Sequence, residues 1–223
     1  MHLQAIVQVC LPAFFWPSFC SCHRRPGFVK KRFIQEQELL EDSYRLAVQI
    51  YQSGYRPDFI VGVWRGGSTV GIYVQECLQY LGIETDHIAI RTSYRGMHDY
   101  LQKLESEAEI RAHGLQYLYE TMNADNALLI VDDVYSTGRN VTAVIDRLRE
   151  KCKRNMPKDV RVAVPYYKSK SNEHNPVPDY YLHEYNEWLV LPYELTGLSD
   201  EEIEQNKPWI KPILDEIKNL DSP

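Results

Sequence analysis

The chain has 223 residues, a length that fits one domain with a sizeable core. Its formal net charge of −6 argues against a broad nucleic-acid-binding surface, so an anionic small ligand would need local positive groups. No apolar run is long enough to span a bilayer, and no Cys/His spacing indicates a zinc site. The five cysteines are odd in number and form no framework, which favours a reducing cytoplasm.

Residues 1–28 differ from the rest of the chain. They contain three of the cysteines, three prolines and several aromatic residues, and their basic cluster follows the apolar stretch, whereas a signal peptide has the reverse order. We expect a disordered extension, a mis-assigned start with translation beginning at the Val29 codon, or an organellar presequence. Terminal-peptide mass spectrometry tests the second interpretation, because abundant peptides from residues 1–28 would eliminate it.

The first predicted strand-and-helix unit follows a helical stretch at residues 35–52. Residues 59–64 predict a strand and residues 69–81 a helix, with Arg65-Gly66-Gly67-Ser68 between them. Two glycines let the backbone approach a ligand closely, and the arginine adds a permanent positive charge. The loop therefore suits an anionic group such as pyrophosphate, although a plain tight turn with a solvated arginine has the same pattern.

A further strand is predicted at residues 85–91, and a long polar segment follows from Thr92 to about residue 108. Both charge signs occur in it, and residues 101–110 are acidic with helical spacing. Two interpretations are open: a mobile lid over a site, or an ordered surface helix.

Residues 127–140, ALLIVDDVYSTGRN, carry the strongest signal. The apolar run at residues 128–131 does not alternate, as expected of a strand buried on both faces, and residues 140–152 have helical spacing. The loop between them lies where open α/β sheets bind ligands. Asp132 and Asp133 can accept hydrogen bonds from ribose hydroxyls or hold Mg²⁺. A phosphate can bind at the helix amino end, against Thr137, Gly138 and Asn140.

This segment resembles the phosphoribosyl diphosphate (PRPP) binding motif of type I phosphoribosyltransferases. That motif is an apolar strand, two acidic residues, two apolar residues and a small-residue loop containing Thr-Gly. The resemblance implies an α/β fold with a central, mainly parallel sheet flanked by helices, a small hood formed by chain from the base-binding end, and a flexible loop. It covers roughly residues 29–195, so we predict a phosphoribosyltransferase domain at 29–197 and a C-terminal helical tail at 198–223.

The resemblance also implies roles for individual residues. The catalytic candidates are Arg65, Asp132 and Asp133. The implied PRPP site consists of Arg65, Gly66, Gly67, Asp132, Asp133, Ser136, Thr137, Gly138, Arg139 and Asn140. Mg²⁺ is the expected cofactor, with Asp132, Asp133 and Glu194 as its ligands. Ser93 and Tyr94 would open a flexible loop that closes over the site and excludes water.

The segment after the predicted strand at residues 159–167 resembles the base-binding end of 6-oxopurine enzymes. Lys168 would donate to a 6-oxo group, because an ammonium offers only donors and so distinguishes a carbonyl from an amino group. Trp188 would stack on the purine, a contact that contributes roughly 1–3 kcal/mol. The alternatives are a solvated loop lysine and ordinary strand packing of the tryptophan.

Ser136 departs from the family pattern. Enzymes for hypoxanthine, guanine and xanthine usually carry an aspartate there, thought to manage a proton on the five-membered ring. Serine has no suitable pKa for that task, and a missing general base typically costs about 10²- to 10⁴-fold in rate. Asp133, Asp179, Glu194 or a water held by Ser136 are the alternative proton acceptors.

The leading function is transfer of phosphoribosyl from PRPP to a 6-oxopurine, which makes a nucleoside monophosphate and pyrophosphate. Transfer to another nucleobase is an alternative, and so is a PRPP-sensing regulatory module, although no basic helix-turn-helix stretch accompanies it. Residues 198–220 are acidic and helical, interrupted by Pro208 and Pro212. Their apolar side chains would pack on the domain or form a dimer contact, since family members are commonly homo-oligomers.

Overall fold

The computed structural model describes residues 30–92, 112–113, 115–171 and 176–220. The predicted flexible-loop residues Ser93 and Tyr94 and the helix-like segment 101–110 lie outside the described residues. In chain order the elements are β1 (Lys31–Phe33), α1 (Glu36–Gln52), β2 (Phe59–Trp64), α2 (Gly66–Tyr80), β3 (Asp86–Thr92), β4 (Ala112–His113), α3 (Gln116–Thr121), β5 (Ala127–Val131), β6 (Val134–Tyr135), α4 (Arg139–Cys152), β7 (Asp159–Tyr167), β8 (Tyr180–Glu184), β9 (Trp188–Val190), α5 (Asp200–Asn206) and α6 (Ile210–Leu220). No helix in the described ranges is long and apolar enough to cross a membrane.

The main sheet has the order β4-β3-β2-β5-β7-β6, and β8 also pairs with β7. Every pairing in it is parallel except β3 with β4. β5 lies between β2 and β7, so its carboxyl end opens at the middle of the sheet. The predicted α/β class with a mainly parallel central sheet is confirmed.

Burial on both faces explains the unbroken apolar run of β5. Leu129 and Val131 pack with α1 and α2 on one face. Leu128 and Ile130 pack with α3 and α4 on the other. All four side chains are fully buried, and each contributes about 1.5–3 kcal/mol by leaving water. Two well-packed faces thus hold the end of β5 and the aspartates that follow it in fixed positions.

A second, two-stranded sheet forms the hood. β1 and β9 pair in parallel, with Lys31 opposite Trp188 and Phe33 opposite Val190. The sequence predicted a hood formed by chain from the base-binding end. That prediction was incomplete, because half of the hood comes from the start of the domain, about 155 residues earlier in the chain.

Two predicted element boundaries need correction. α2 begins at Gly66 rather than at residue 69, so both glycines of the predicted loop lie in the first helical turn. The tail forms two helices, with Pro208 between them and Pro212 in the first turn of α6, where a missing N–H is tolerated. Trp209 and Ile213 are more than half exposed, so this part of the apolar face does not pack on the domain.

Candidate active site

The acid pair lies at the carboxyl end of β5. The Asp132 amide donates to the carbonyl of Ala163 at 3.2 Å, which extends the β5–β7 pairing by one residue. Asp132 Oδ1 accepts from the Asp133 amide at 3.0 Å, and Asp133 Oδ1 accepts from the Val134 amide at 2.8 Å. Burial, followed by the charge of Asp133, raises the pKa of Asp132 well above its usual value. The hydrogen bonds therefore hold both aspartates in place. The raised pKa of Asp132 means that a second negative charge beside Asp133 is unfavourable.

Residues 136–138, here called the phosphate-type loop, lead from β6 into the amino end of α4. Gly138 has φ +70° and stands directly before α4, and its carbonyl accepts from the Thr142 amide at 2.9 Å. A methyl group at Gly138 would overlap the hydroxyl of Tyr135, which itself donates to the Pro176 carbonyl at 3.0 Å. Glycine is therefore required there both by conformation and by space. The resulting helix start is a general anion-binding geometry, and Ser136, Thr137, Arg139 and Asn140 surround it.

The Arg65 segment lies beside the acid pair because β2 and β5 are neighbours, with Gly62 opposite Val131. Arg65 is exposed and immediately precedes α2, and the Trp64–Arg65 peptide is cis. A methyl group at Gly67 would lie 2.8 Å from Asp132 Cα. The side-by-side packing of the two strand ends is thus possible only with glycine at this position, and it brings the predicted PRPP residues together.

Tyr193 is a site residue that the sequence did not single out. Its hydroxyl donates to Asp133 Oδ2, and a methyl group at Gly66 would overlap both of these atoms. Burial, followed by the charge of Asp133, raises the pKa of Tyr193 well above the usual range, so the hydroxyl remains a donor. Only the tertiary fold reveals this role, because Tyr193 is 60 residues from Asp133 in the chain.

Glu194 follows Tyr193 and faces the same charges. Burial raises its pKa first, and the charge of Asp133 raises it further, while Arg65 and Lys207 act in the opposite direction. The charges of Asp133 and Arg65 both act on Glu194, which places its carboxylate in the acid-pair region.

The donor chemistry of this region suits Mg²⁺. The described residues contain no ready-made group of three or more acidic, histidine or cysteine side chains that could hold a metal ion. Mg²⁺ usually keeps several waters and binds through one or two carboxylates together with substrate phosphates, so a protein cage is not required. The charge of Asp133 raises the pKa of both Asp132 and Glu194. A cation bound among these carboxylates would reduce their mutual repulsion.

The two predicted base-binding residues are also together. Lys168 Nζ lies 5.2 Å from the centre of the Trp188 ring, within cation–π range. The Lys168 amide donates to the Tyr135 carbonyl at 2.8 Å, and the Trp188 amide donates to the Lys30 carbonyl at 3.0 Å. Burial lowers the pKa of the Lys168 ammonium. The chain thus holds a partly desolvated cation over an aromatic face, next to the phosphate-type loop.

Asp179, one of the alternative proton acceptors, directly precedes β8. Its Oδ2 accepts from the Val162 amide at 2.8 Å, before the start of that strand, whereas the site lies where the parallel strands end. Ser136 follows β6 and is the first residue of the phosphate-type loop.

The fold is thus an α/β domain that brings a helix start and an acidic pair together at the ends of its parallel strands. The chain belongs to the phosphoribosyl transferase domain family, whose family model matches residues 31–195. It is therefore an enzyme of the pentosyl-transferring class that uses PRPP. A search of curated proteins found no significant match.

Solved structures with the same fold include purine phosphoribosyltransferases. The enzyme of Pyrococcus horikoshii is 24% identical, with a TM-score of 0.55 over 76% of this chain and 98% of its own. The Helicobacter pylori xanthine-guanine-hypoxanthine phosphoribosyltransferase is 19% identical, with a TM-score of 0.54 over 74% and 95%. A hypothetical protein from Neisseria gonorrhoeae with bound ppGpp is 17% identical, with a TM-score of 0.58 over 81% and 98%.

Proposed function

We propose that this enzyme transfers the 5-phosphoribosyl group of PRPP to a 6-oxopurine, namely hypoxanthine, guanine or xanthine. The supporting observation is the partly desolvated Lys168 ammonium 5.2 Å from the Trp188 ring centre. The aromatic face of Trp188 can stack on any base. The Lys168 ammonium has donors but no acceptor atom, so it favours a carbonyl over an amino group on the part of the base that it contacts. Transfer to a different base is the second candidate, and the observation that favours it is Ser136 in place of the usual aspartate.

In the proposed reaction the bond between the anomeric carbon and the pyrophosphate oxygen breaks and a bond to a ring nitrogen of the base forms, while the proton of that nitrogen passes to Asp133, Glu194 or a water held by Ser136. Arg65 and the backbone of Gly66 and Gly67 bind the departing pyrophosphate, and the acid pair binds the ribose hydroxyls. The 5′-phosphate sits at residues 136–140, at the start of α4. Most of the catalysis then comes from positioning and from charge stabilisation of the leaving group.

Asp132, Asp133 and Glu194 would hold Mg²⁺ together with PRPP. The ion supplies charge neutralisation at the pyrophosphate. Asp132 and Asp133 also orient the ribose so that its anomeric carbon faces the Trp188 side.

We further propose a cytoplasmic homo-oligomer, with the exposed Trp209 and Ile213 of the C-terminal tail at the subunit contact. Its mass should then rise with concentration in light scattering, and an Ile213→Asp variant should remain at monomer mass.

The decisive experiment is a panel assay of nucleotide formation with Mg²⁺ and PRPP. Hypoxanthine, guanine, xanthine, adenine, uracil and orotate are compared, beside PRPP binding by calorimetry. Turnover on a 6-oxopurine supports the proposal. Turnover only on another base supports the second candidate, tight PRPP binding without turnover indicates a sensor, and no PRPP binding contradicts the site assignment.

Two variants test the residues directly. Lys168→Met should lower kcat/KM for the 6-oxopurine by roughly tenfold to a hundredfold, because a hydrogen bond to a charged group contributes about 1.5–3 kcal/mol. Lys170→Met, at an exposed neighbour, is the matched control.

Asp133→Asn should reduce nucleotide formation more than it lowers stability. Asp146→Asn, at an exposed position of α4, is its control. Wild-type turnover in Asp133→Asn would show that the acid pair is wrongly assigned.

A further inference from the structure

Lys207 is a buried cation outside the residues assigned so far. It lies between α5 and α6, and only 4% of its surface is exposed. Its Nζ donates to three backbone carbonyls, those of Leu191 at 2.8 Å, Pro192 at 2.7 Å and Glu194 at 2.8 Å. An ammonium has three donors, so these contacts satisfy all of them. The C-terminal helical tail is thus fastened to one short turn.

The turn formed by residues 191–194 carries side chains of the acid-pair region. The Glu194 amide donates to the Leu191 carbonyl at 3.0 Å, and the Leu191 amide donates to Glu194 Oε2 at 3.3 Å. From this turn the Tyr193 hydroxyl reaches Asp133, and Glu194 interacts with both Asp133 and Arg65. Lys207 therefore contacts the backbone of the segment whose side chains meet the acid pair.

A buried ammonium is costly unless its hydrogen bonds are complete, so its persistence here depends on the geometry of all three carbonyls. The dependence runs in both directions. Without the cation, the three carbonyl oxygens would lose the donor that they share, and their dipoles would repel one another. The turn would relax, and Tyr193 and Glu194 would move with it.

We propose that Lys207 is a positioning residue for the PRPP site. It fixes the turn at residues 191–194, and through that turn it sets the positions of Tyr193 and Glu194 relative to Asp133. The catalytic part of this statement rests on the proposed function. The structural part, control of the turn by the tail, does not depend on it.

The test compares Lys207→Met with Lys211→Met. Methionine keeps the apolar stem and removes every donor, whereas Lys211 is an exposed lysine whose Nζ pairs with Glu204 at 3.0 Å. Hydrogen exchange should accelerate at the amides of residues 191, 193 and 194 in Lys207→Met alone. KM for PRPP should rise roughly tenfold to a hundredfold, the usual effect of removing an outer partner, while KM for the base changes less than about threefold. Lys207→Gln retains two donors, so its exchange rates and its KM for PRPP should lie between those of the wild type and Lys207→Met. It replaces Lys207→Met if that variant fails to fold.

A double-mutant cycle with Tyr193→Phe separates positioning from general stability. If Lys207 acts through Tyr193, its removal should raise KM for PRPP less in the Tyr193→Phe background than in the wild type. Full additivity, or a lower Tm with unchanged KM for PRPP in the folded protein, would overturn the proposal. Unchanged hydrogen exchange at residues 191–194 in Lys207→Met would overturn the proposal even if the wild type transfers no base. If the wild type is inactive but exchange accelerates in Lys207→Met, the positioning role is supported and only the proposed function is contradicted.

Discussion

Gly66→Ala should weaken PRPP binding with little effect on folding. A methyl group at this position would overlap the carboxylate of Asp133 and the hydroxyl of Tyr193. Both are the ends of side chains, so the chain can accommodate the methyl by turning them aside. The backbone of β5 and α2 need not move, but the hydrogen bond between Tyr193 and Asp133 is lost.

The expected size follows from the contacts that Asp133 gives up. A hydrogen bond to a charged group contributes about 1.5–3 kcal/mol. A carboxylate displaced from its position should lose at least one such bond to the ribose, which corresponds to roughly a tenfold to hundredfold loss in PRPP affinity. Both side chains are partly buried but can rotate without moving the backbone of β5 or α2, so Tm should decrease less than in a variant whose added methyl meets the backbone.

Gly67→Ala is the informative comparison. Its methyl would meet the Val131 carbonyl and, at 2.8 Å, Asp132 Cα, which are backbone atoms that side-chain rotation cannot move. Overpacking of this kind costs about 1–3 kcal/mol of stability. That cost corresponds to a decrease in Tm of about 2–4 °C per kcal/mol for a domain of this size.

Calorimetric titration with Mg²⁺ and PRPP, beside thermal melting, measures both quantities. Gly82→Ala is the control, because Gly82 has φ +84° and no atom within 4 Å of an added methyl, so strain there should lower Tm without changing PRPP affinity. Wild-type PRPP affinity in Gly66→Ala would refute the reasoning, since it would mean that Asp133 and Tyr193 do not need their present positions.

Three further predictions concern the chemistry of the site. Ser136→Asp should raise kcat with hypoxanthine by about 10²-fold or more if a missing base limits the rate; an unchanged or lower kcat would show that another group takes the proton. Activity on a 6-oxopurine should be full while Lys168 is protonated and should fall as pH rises through its lowered pKa, below the ordinary 10.5, whereas Lys168→Arg should carry the remaining activity to higher pH in a pH–rate profile. Binding of Mg²⁺ and PRPP should release protons, measured by calorimetry in two buffers of different ionisation enthalpy; identical heats would contradict the raised pKa of Asp132.

The central part of the site could be predicted because its signals are local. A buried strand, two carboxylates, a turn glycine and a helix start follow one another within residues 127–152, and each has its own sequence pattern. β5 and β2 were found because both of their faces are apolar. The neighbouring positions of the two loops then follow from the rule that parallel strands end at the same edge.

The amino-terminal strand of the hood and the supporting contacts could not be predicted, because their partners are distant in the chain. β1 is three residues long and two of them are basic, so no periodicity marks it, and it forms only against β9. Tyr193 and Lys207 have unremarkable surroundings in sequence. Their roles depend on Asp133 and on three carbonyls that converge only in the folded chain.

The charges of the site also explain why an acidic chain can bind an anionic substrate. In the free protein, burial raises the pKa of Asp132, and the charge of Asp133 raises it further, so Asp132 retains a proton at higher pH than an ordinary aspartate. A divalent cation near the pair favours the charged carboxylate and therefore lowers that pKa on binding. A group whose pKa falls on binding releases its proton, so affinity for Mg²⁺ and PRPP should increase with pH up to the free-state pKa of Asp132 and level off above it. Under the proposed function, the same carboxylates that would repel free PRPP would favour PRPP that brings its metal ion.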